Sequence, residues 1–470
     1  MKEQNRTSFK IFLSLFILVT VLSIAAYTSL KKGEHPQKPK NILHRDGGGP
    51  LKFSTSLDNE YYFDNDHVYL YINLQAGKAD ITRERSPLNI AIVIDKSGSM
   101  GDKNKLDYVK RAVDYIIDQL GSDDYLSVVT YDDEVNVLQS SSRVTDKYDL
   151  REKISKIKPG GFTNLSGGTF EGYEQVSRSY SRGYVNRVLL LSDGLANRGI
   201  TDRYELADMV RDKSRRDGIT ISTFGVGNDF NENLMADLGE YGKGNYYYIS
   251  NSRDIPGIFE QELKSVSNLV AQGTRIKVHF PSQYLSLNKV FGFPYEVSGN
   301  EVDIDFKDVF SEQTKSVLVK FDVIRKIDSR ISFESELVYD DVGSDFRHVS
   351  SSDDKYLEPA NSREEYNKGY DENVVQNISM FESNDMMENA LKESDNGNYD
   401  RARIILQDAQ QYMNKQMEQV PTSPGMIQQS ETMDKYKEQL RSAESKTDDE
   451  KKDMQKSGKY DNYNTRKGNK

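Results

Sequence analysis

The sequence predicts an α/β chain: a doubly wound, mainly parallel sheet, flanked from both sides by a β-sandwich-like region and followed by helices and a polar tail. Three observations carry that expectation. Ile90-Ala91-Ile92-Val93-Ile94 has no polar alternation, so as a strand it is covered on both faces, as in a parallel sheet between helices. From about 86 to 266, apolar strands alternate with amphipathic helices, the order that builds such a sheet. On either side the hydrophobic period falls to two, first in Val68-Tyr69-Leu70-Tyr71-Ile72-Asn73-Leu74 and later in Val302-Ile304-Phe306 and Val317-Val319-Phe321-Val323. That pattern suits strands with one buried face.

In chain order, residues 1–30 read as an export segment. Lys2, Arg6 and Lys10 precede a charge-free run from Ile11 to Leu30, long enough to span a bilayer as an uncleaved anchor. Ser23-Ile24-Ala25 also meets a small-x-small cleavage rule, so a cleaved signal is the alternative. The first case gives a single-pass cell-membrane protein with its bulk extracytoplasmic, the second a secreted or periplasmic one. Residues 31–50, with KKGEHPQKPK and DGGGP, read as a linker. An N-terminal β region follows at 51–85, then the α/β domain at 86–266. Its first helix places Leu106, Val109, Val113, Ile116, Ile117 and Leu120 on one face. Residues 273–350 are expected to complete the sandwich-like region, and 361–420 to form a helical hairpin. In that hairpin GNYDRARIILQDA fits one tetratricopeptide-like helix, but one copy cannot make a solenoid. Residues 421–470 read as a disordered polar tail, too poor in apolar surface to fold.

The chemistry gathers where the buried strand ends. Asp95, Ser97 and Ser99 form D-x-S-x-S between that strand and a helix; PGGFTNLSGG supplies Thr163; and RVLLLSDG supplies Asp193 at the end of another apolar strand. Ligands of open α/β sheets sit beyond the carboxyl ends of the strands. An all-oxygen set suits a hard cation, Mg²⁺ first, with Mn²⁺ or Ca²⁺ as further candidates. Together the three segments resemble the metal-ion-dependent adhesion site of a von Willebrand factor type A (VWA) domain. The layout between β-rich flanks is similar to that of inter-alpha-trypsin inhibitor heavy chains. The resemblance implies that Ser97 and Ser99 ligate the cation directly, that Thr163 does so in one state of the domain, and that Asp95 and Asp193 hold metal-bound waters. It also implies a partner protein that offers Glu or Asp to the cation. Phe162 departs from the pattern, standing where related loops place a small residue. The blander reading makes Asp95 and Asp193 caps of the helices that follow.

Composition narrows the function classes. A net charge of -11 with no basic stripe argues against nucleic acid. With no cysteine there are no disulfides or thiolate sites, and the five histidines are scattered. Ser97 or Ser99 as a nucleophile lacks a nearby histidine and a Ser-x-x-Lys arrangement, and a phosphatase of the haloacid dehalogenase type expects an acid where Ser97 stands. The sequence therefore reads as a metal-dependent binding protein, not an enzyme. The alternative is a structural or transport-associated cell-envelope protein in which the α/β domain is a scaffold. Asp229, Asn231, Asn233 and Glu240 imitate a calcium loop, but Leu234 occupies the position that needs glycine, so this stretch is expected to be a helix.

Overall fold

The structure is a computed structural model, described over residues 43–44, 50–78, 85–193, 196–227, 230–251, 253–344, 346–419 and 423–467. The predicted export segment and most of the linker lie outside these residues. Among the described residues, no helix is long and apolar enough to cross a membrane.

The first flank supplies β1 (Leu51–Leu57) and β2 (His67–Ala76). The α/β domain then runs β3 (Leu88–Asp95), α1 (Lys105–Gln119), β4 (Tyr125–Tyr131), β5 (Val135–Arg143), α2 (Lys147–Ser155), α3 (Leu165–Arg178) and β6 (Val185–Ser192). It continues with α4 (Arg203–Asp217), β7 (Thr220–Val226), α5 (Glu232–Tyr241), β8 (Lys243–Ile249) and α6 (Ile255–Ser267). Its sheet has the order β8-β7-β6-β3-β4-β5. All neighbours are parallel except β4 and β5. Every residue of β3 and of β6 is buried, which explains the unbroken apolar runs Ile90–Ile94 and Val188–Leu191 within them. The apolar stripe of α1 lies at Val109, Val113, Ile116 and Ile117, all fully buried in the core that also holds Ile90, Ile92 and Ile94.

The second flank supplies β9 (Leu269–His279), β10 (Leu285–Phe291), β11 (Tyr295–Ser298), β12 (Glu301–Phe310), β13 (Thr314–Val323), β14 (Ile331–Asp341), β15 (Arg347–Ser352) and β16 (Lys355–Pro359). One sheet runs β15-β14-β9-β12-β11, with β16 also paired to β14; the other runs β10-β13-β2-β1. Here β2 pairs with β13, Ile72 opposite Val317 and Leu70 opposite Val319, so segments from before and after the α/β domain share one sheet. A single core joins the two sheets through Leu70, Ile72, Ile276, Ile304, Val319 and Phe321, with the alternating burial of a sandwich.

Buried charge ties this sandwich to the α/β domain. Arg187 on β6 donates to Glu262 on α6 at 2.7 Å and to Asp308 on β12 at 3.2 Å. It also donates to Thr220 at 2.9 Å. Burial alone would raise the Glu262 carboxyl, but Arg187, Ser222 and Asn245 hold it below the usual carboxylate range.

The helical segment comprises α7 (Glu372–Asp395), α8 (Tyr399–Gln419), α9 (Pro424–Arg441) and α10 (Asp448–Lys467). The expected hairpin is α7 and α8; Ala402, Leu406 and Ala409, the tetratricopeptide-like positions, are buried in their shared core. The expectation of an unfolded tail is corrected, because α9 and α10 occupy most of residues 421–470. Met426, Met433, Tyr436 and Leu440 of α9 and Met454 of α10 join the helical core. Another stripe of α10 packs on the α/β domain: Asp453 accepts from Tyr248 at 3.1 Å, Lys456 donates to the Phe230 carbonyl and to Glu232, both at 2.6 Å, and Tyr463 meets Tyr246 edge-on at 5.5 Å. Polar residues of α10 thus do interior work, with Asp453 and Lys456 satisfied by partners on the α/β domain.

Glu232 gives this contact an acid limit. Burial would raise its carboxyl, but Lys459 and Lys456 outweigh that and hold it at about 2, against 4.5 for a free glutamate. A depressed folded-state pKa contributes stability that is complete above the unfolded value and lost as pH falls through the folded one. Burial lowers Lys456 in turn, so the net contribution is about 2 kcal/mol after screening. Glu232→Gln should therefore speed hydrogen exchange in α10 at neutral pH, and the gap from the wild type should close as pH drops from 4.5 toward 2. A gap that persists there would mean that α10 docks by other contacts.

Candidate metal centre

The connection after β3 leads to β4 on one side, and the chain later returns to β6 on the other, so a crevice opens beyond the carboxyl end of β3. Asp95 closes β3 opposite Tyr131 of β4, and Ile94 lies opposite Leu191, two residues before Asp193. Three loops meet in that crevice. Lys96 N–H donates to the Tyr131 carbonyl at 2.9 Å, Gly98 N–H to the Gly161 carbonyl at 3.1 Å, and Gly160 N–H to the Lys96 carbonyl at 2.8 Å. Gly161 takes a φ of +74°, a left-handed conformation that favours glycine. Gly168 is needed for a different reason: a Cβ there would stand 2.3 Å from the Tyr131 ring. The glycine-rich loop is thus fastened to the D-x-S-x-S loop by backbone bonds, which leaves the side chains available.

Each predicted residue can now be placed. Asp95 is fully buried; its Oδ1 accepts from Ser97 N–H at 2.9 Å, and its Oδ2 from Ser192 Oγ at 2.6 Å and Tyr131 OH at 3.3 Å. Burial first, and then the neighbouring Asp193 charge, push its carboxyl up to about 6. Ser97 is buried, with its Oγ 3.2 Å from Ser99 Oγ. Thr163 is buried and its backbone is clamped: its N–H donates to Asn197 Oδ1 at 2.7 Å, and its carbonyl accepts from Asn197 and Arg198 N–H at 3.1 Å. Asp193 is fully buried, its Oδ2 3.1 Å from Lys105 Nζ, while its Oδ1 has no hydrogen-bond partner. It does not cap α4, a role that belongs to Asp202. The N-cap of α1 is Asn104, so the capping reading fails for both aspartates.

A buried carboxylate oxygen without a partner is costly, and here it belongs to a carboxylate near enough to Asp95 to raise its carboxyl. These donors fit a hard divalent cation: hydroxyls from Ser97, Ser99 and Thr163, with Asp95 and Asp193 behind them. Among the described residues no cluster of three or more His, Cys, Asp or Glu side chains gathers that could hold a metal, so a site here depends on its hydroxyls. The calcium-loop imitation is a helix start: Asn231 caps α5, and Leu234 and Leu238 are buried. The sequence reading missed Lys105, Tyr131, Ser192 and Asn197. Lys105 carried a signal, since it lies four residues before Val109 on the apolar stripe of α1.

At the rim, Arg198 lies over the Phe162 ring at 4.6 Å and 3.8 Å from Asp133, with Phe162 52% exposed. Lys103, in the loop that carries Ser99, meets Asp449 of α10 at 3.0 Å.

Residues 89–261 match the family model of the von Willebrand factor type A domain. They form a VWA domain. Among curated relatives, the uncharacterised protein YfbK of Escherichia coli (strain K12) is 29% identical over 206 residues, 44% of this chain and 36% of that protein. The uncharacterised protein sll0103 of Synechocystis is 28% identical over 216 residues, 46% of this chain and 50% of its own length. The matches therefore span between about a third and half of these relatives. Inter-alpha-trypsin inhibitor heavy chain H1 of Sus scrofa is 29% identical over 157 residues, 31% of this chain and 17% of that protein. In solved structures the likeness extends well beyond the VWA domain. A von Willebrand factor type A protein from Catenulispora acidiphila aligns with TM-score 0.63 over 81% of this chain and 90% of its own, at 14% identity. The ArnB paralog VWA2 from Sulfolobus acidocaldarius aligns with TM-score 0.59 over 88% of this chain and 98% of its own, at 16% identity. At such identities the likeness concerns the fold alone.

Proposed function

We propose that this chain is an exported, membrane-anchored binding protein whose VWA domain holds a divalent cation, Mg²⁺ or else Mn²⁺ or Ca²⁺, and through it takes a Glu or Asp side chain of a partner protein. The observation that carries this reading is the buried, unpartnered Oδ1 of Asp193 beside the Ser97, Ser99 and Thr163 segments. When bound, the cation supplies Lewis acidity toward a partner's carboxylate. The chain's own residues prepare that contact. Ser97, Ser99 and Thr163 offer neutral hydroxyls, which leave a cation short of negative charge. Asp95 and Asp193 supply the fixed charge behind them, and Ser192, Tyr131 and Asn197 hold Asp95 and Thr163 in place. Phe162 and Arg198 form an exposed rim against which a partner can close.

The export segment at residues 1–30 supports placement of the VWA domain outside the cytoplasm. A scaffold role in the cell envelope is the second reading, favoured by the buried Arg187 network that ties the VWA domain to the sandwich.

The two readings separate in a pull-down from membrane extract in Mg²⁺ or in EDTA. For a partner so isolated, Asp193→Ala should weaken binding far more than Arg198→Ala, because an exposed pair contributes only about 0–1 kcal/mol. Equal recovery with and without metal, or a larger loss from Arg198→Ala, would favour the scaffold reading and place the partner elsewhere.

A further inference from the structure

We infer that α10 is a strap that holds the metal crevice ready from outside the VWA domain, with Lys456 as its positioning residue; this rests on the metal reading proposed above. The peptide unit between Phe230 and Asn231 carries the connection, because it is held at both ends. Its N–H donates to the Asp193 carbonyl at 3.1 Å, and its carbonyl accepts from Lys456 Nζ at 2.6 Å. The Lys456 side chain is only 8% exposed and its ammonium lies over the Phe230 ring at 4.3 Å, so the bond is made away from water. In such a setting a charge on the carbonyl polarises the peptide and strengthens the bond that its N–H makes. Asp193 is therefore fixed through its backbone by a helix remote in sequence. A second tie joins Asp449 to Lys103, in the loop that carries Ser99; it is exposed on both sides and adds little.

The other side of α10 belongs to the helical bundle. Met454 enters the bundle core, Gln455 donates to the Ser394 carbonyl at 2.9 Å, and a Cβ at Gly458 would stand 2.6 Å from the Tyr436 ring and 2.9 Å from Leu391. One stripe of α10 thus touches the bundle and the next touches the loop behind Asp193. This placement sets the sign of the coupling. A cation that uses Asp193 needs that residue held in place, and docked α10 has already ordered its backbone. The cation then costs the chain less conformational freedom, so docking and metal binding favour each other. By linkage the factor is the same in both directions: the cation should hold α10 down as much as docked α10 favours the cation. An effect of the cation on a helix outside residues 89–261 is one that packing within the VWA domain alone would not produce.

The test combines Mn²⁺ calorimetry and hydrogen exchange on the full chain, in the wild type, Lys456→Met and Lys452→Met. Lys456→Met keeps the length of the side chain and removes the donor, and it should bind Mn²⁺ about tenfold more weakly. Saturating Mn²⁺ should slow exchange in α10 of the wild type about tenfold, beyond any slowing in α8, which packs inside the bundle. Lys452, exposed on the same helix, is the control, and Lys452→Met should follow the wild type in both measurements. If Lys456→Met does not fold, Glu232→Gln, which removes the charged partner of Lys456, is read in the same way. Exchange in wild-type α10 that Mn²⁺ slows no more than in α8, or a folded variant that binds Mn²⁺ as tightly as the wild type or more so, overturns the inference while the metal reading stands. A wild type that binds no Mn²⁺ overturns both.

Discussion

Asp95→Ala and Asp193→Ala should lose most of the stabilisation that Mg²⁺ or Mn²⁺ gives the wild-type chain. A ligand bound only by the folded state stabilises it by about 2.7 kcal/mol at 100 times its dissociation constant. Residues that orient a metal site from behind its direct ligands typically change affinity by about 10–100-fold when removed. At the upper end of that range the same metal concentration would stabilise the variant by only about 0.4 kcal/mol. The quantity to read is the metal-dependent gain, because Asp193→Ala also leaves the Lys105 ammonium buried without this carboxylate, which itself costs about 3–5 kcal/mol. Asp95→Asn is the gentler control: it keeps the shape and removes the charge. Thermal melts with and without Mn²⁺ check the set, and a full metal-dependent shift in Asp95→Ala would mean that the cation binds elsewhere.

Arg187→Ala should destabilise the chain by about 3–5 kcal/mol. The guanidinium and the Glu262 and Asp308 carboxylates are all nearly or fully buried, so its removal strands two negative charges in an apolar interior. Breaking a buried pair is far more damaging than replacing every member, so Arg187→Met combined with Glu262→Gln and Asp308→Asn should recover much of the loss. Because Asp308 belongs to the sandwich and Glu262 to α6, the single variant should also loosen the VWA domain from its neighbour. Hydrogen exchange should then rise in β12 and α6 together. An exposed pair such as Arg143 with Asp123 makes the contrasting control, whose loss should change stability little because water screens it. Denaturation of the single and triple variants decides the point; equal losses in both would show that the charges themselves matter little.

The sequence disclosed the parts of this fold that depend on local pattern. The unbroken apolar run of β3 and the stripe of α1 had one physical solution, burial on two faces and on one face respectively. Asp95, Ser97 and Ser99 were legible because they are contiguous and follow that run directly. Thr163 and Asp193 were reached through their glycine-rich and strand-end settings, together with the family resemblance. What escaped lacked a periodic signal. The edge strand β5 reads VNVLQSSSR, with little alternation, and is antiparallel within an otherwise parallel sheet. The helices α9 and α10 are polar by composition, yet Lys456 and Asp453 are satisfied by Glu232 and Tyr248, residues remote in sequence. Lys105 was passed over: its place on the apolar stripe of α1 hinted at burial, but its partner, Asp193, is remote in sequence and no local rule connects them.

The most direct measurement is a crystal structure of the chain grown in Mn²⁺, with an anomalous difference map at the manganese edge. The result expected is a single strong peak in the crevice beyond β3, within about 2.0–2.6 Å of the Ser97 and Ser99 hydroxyl oxygens, with Asp95 and Asp193 grouped around it. A map without a peak there, or with manganese held only by carboxylates on another face, would contradict the assignment of Asp95, Ser97, Ser99, Thr163 and Asp193 as a metal centre.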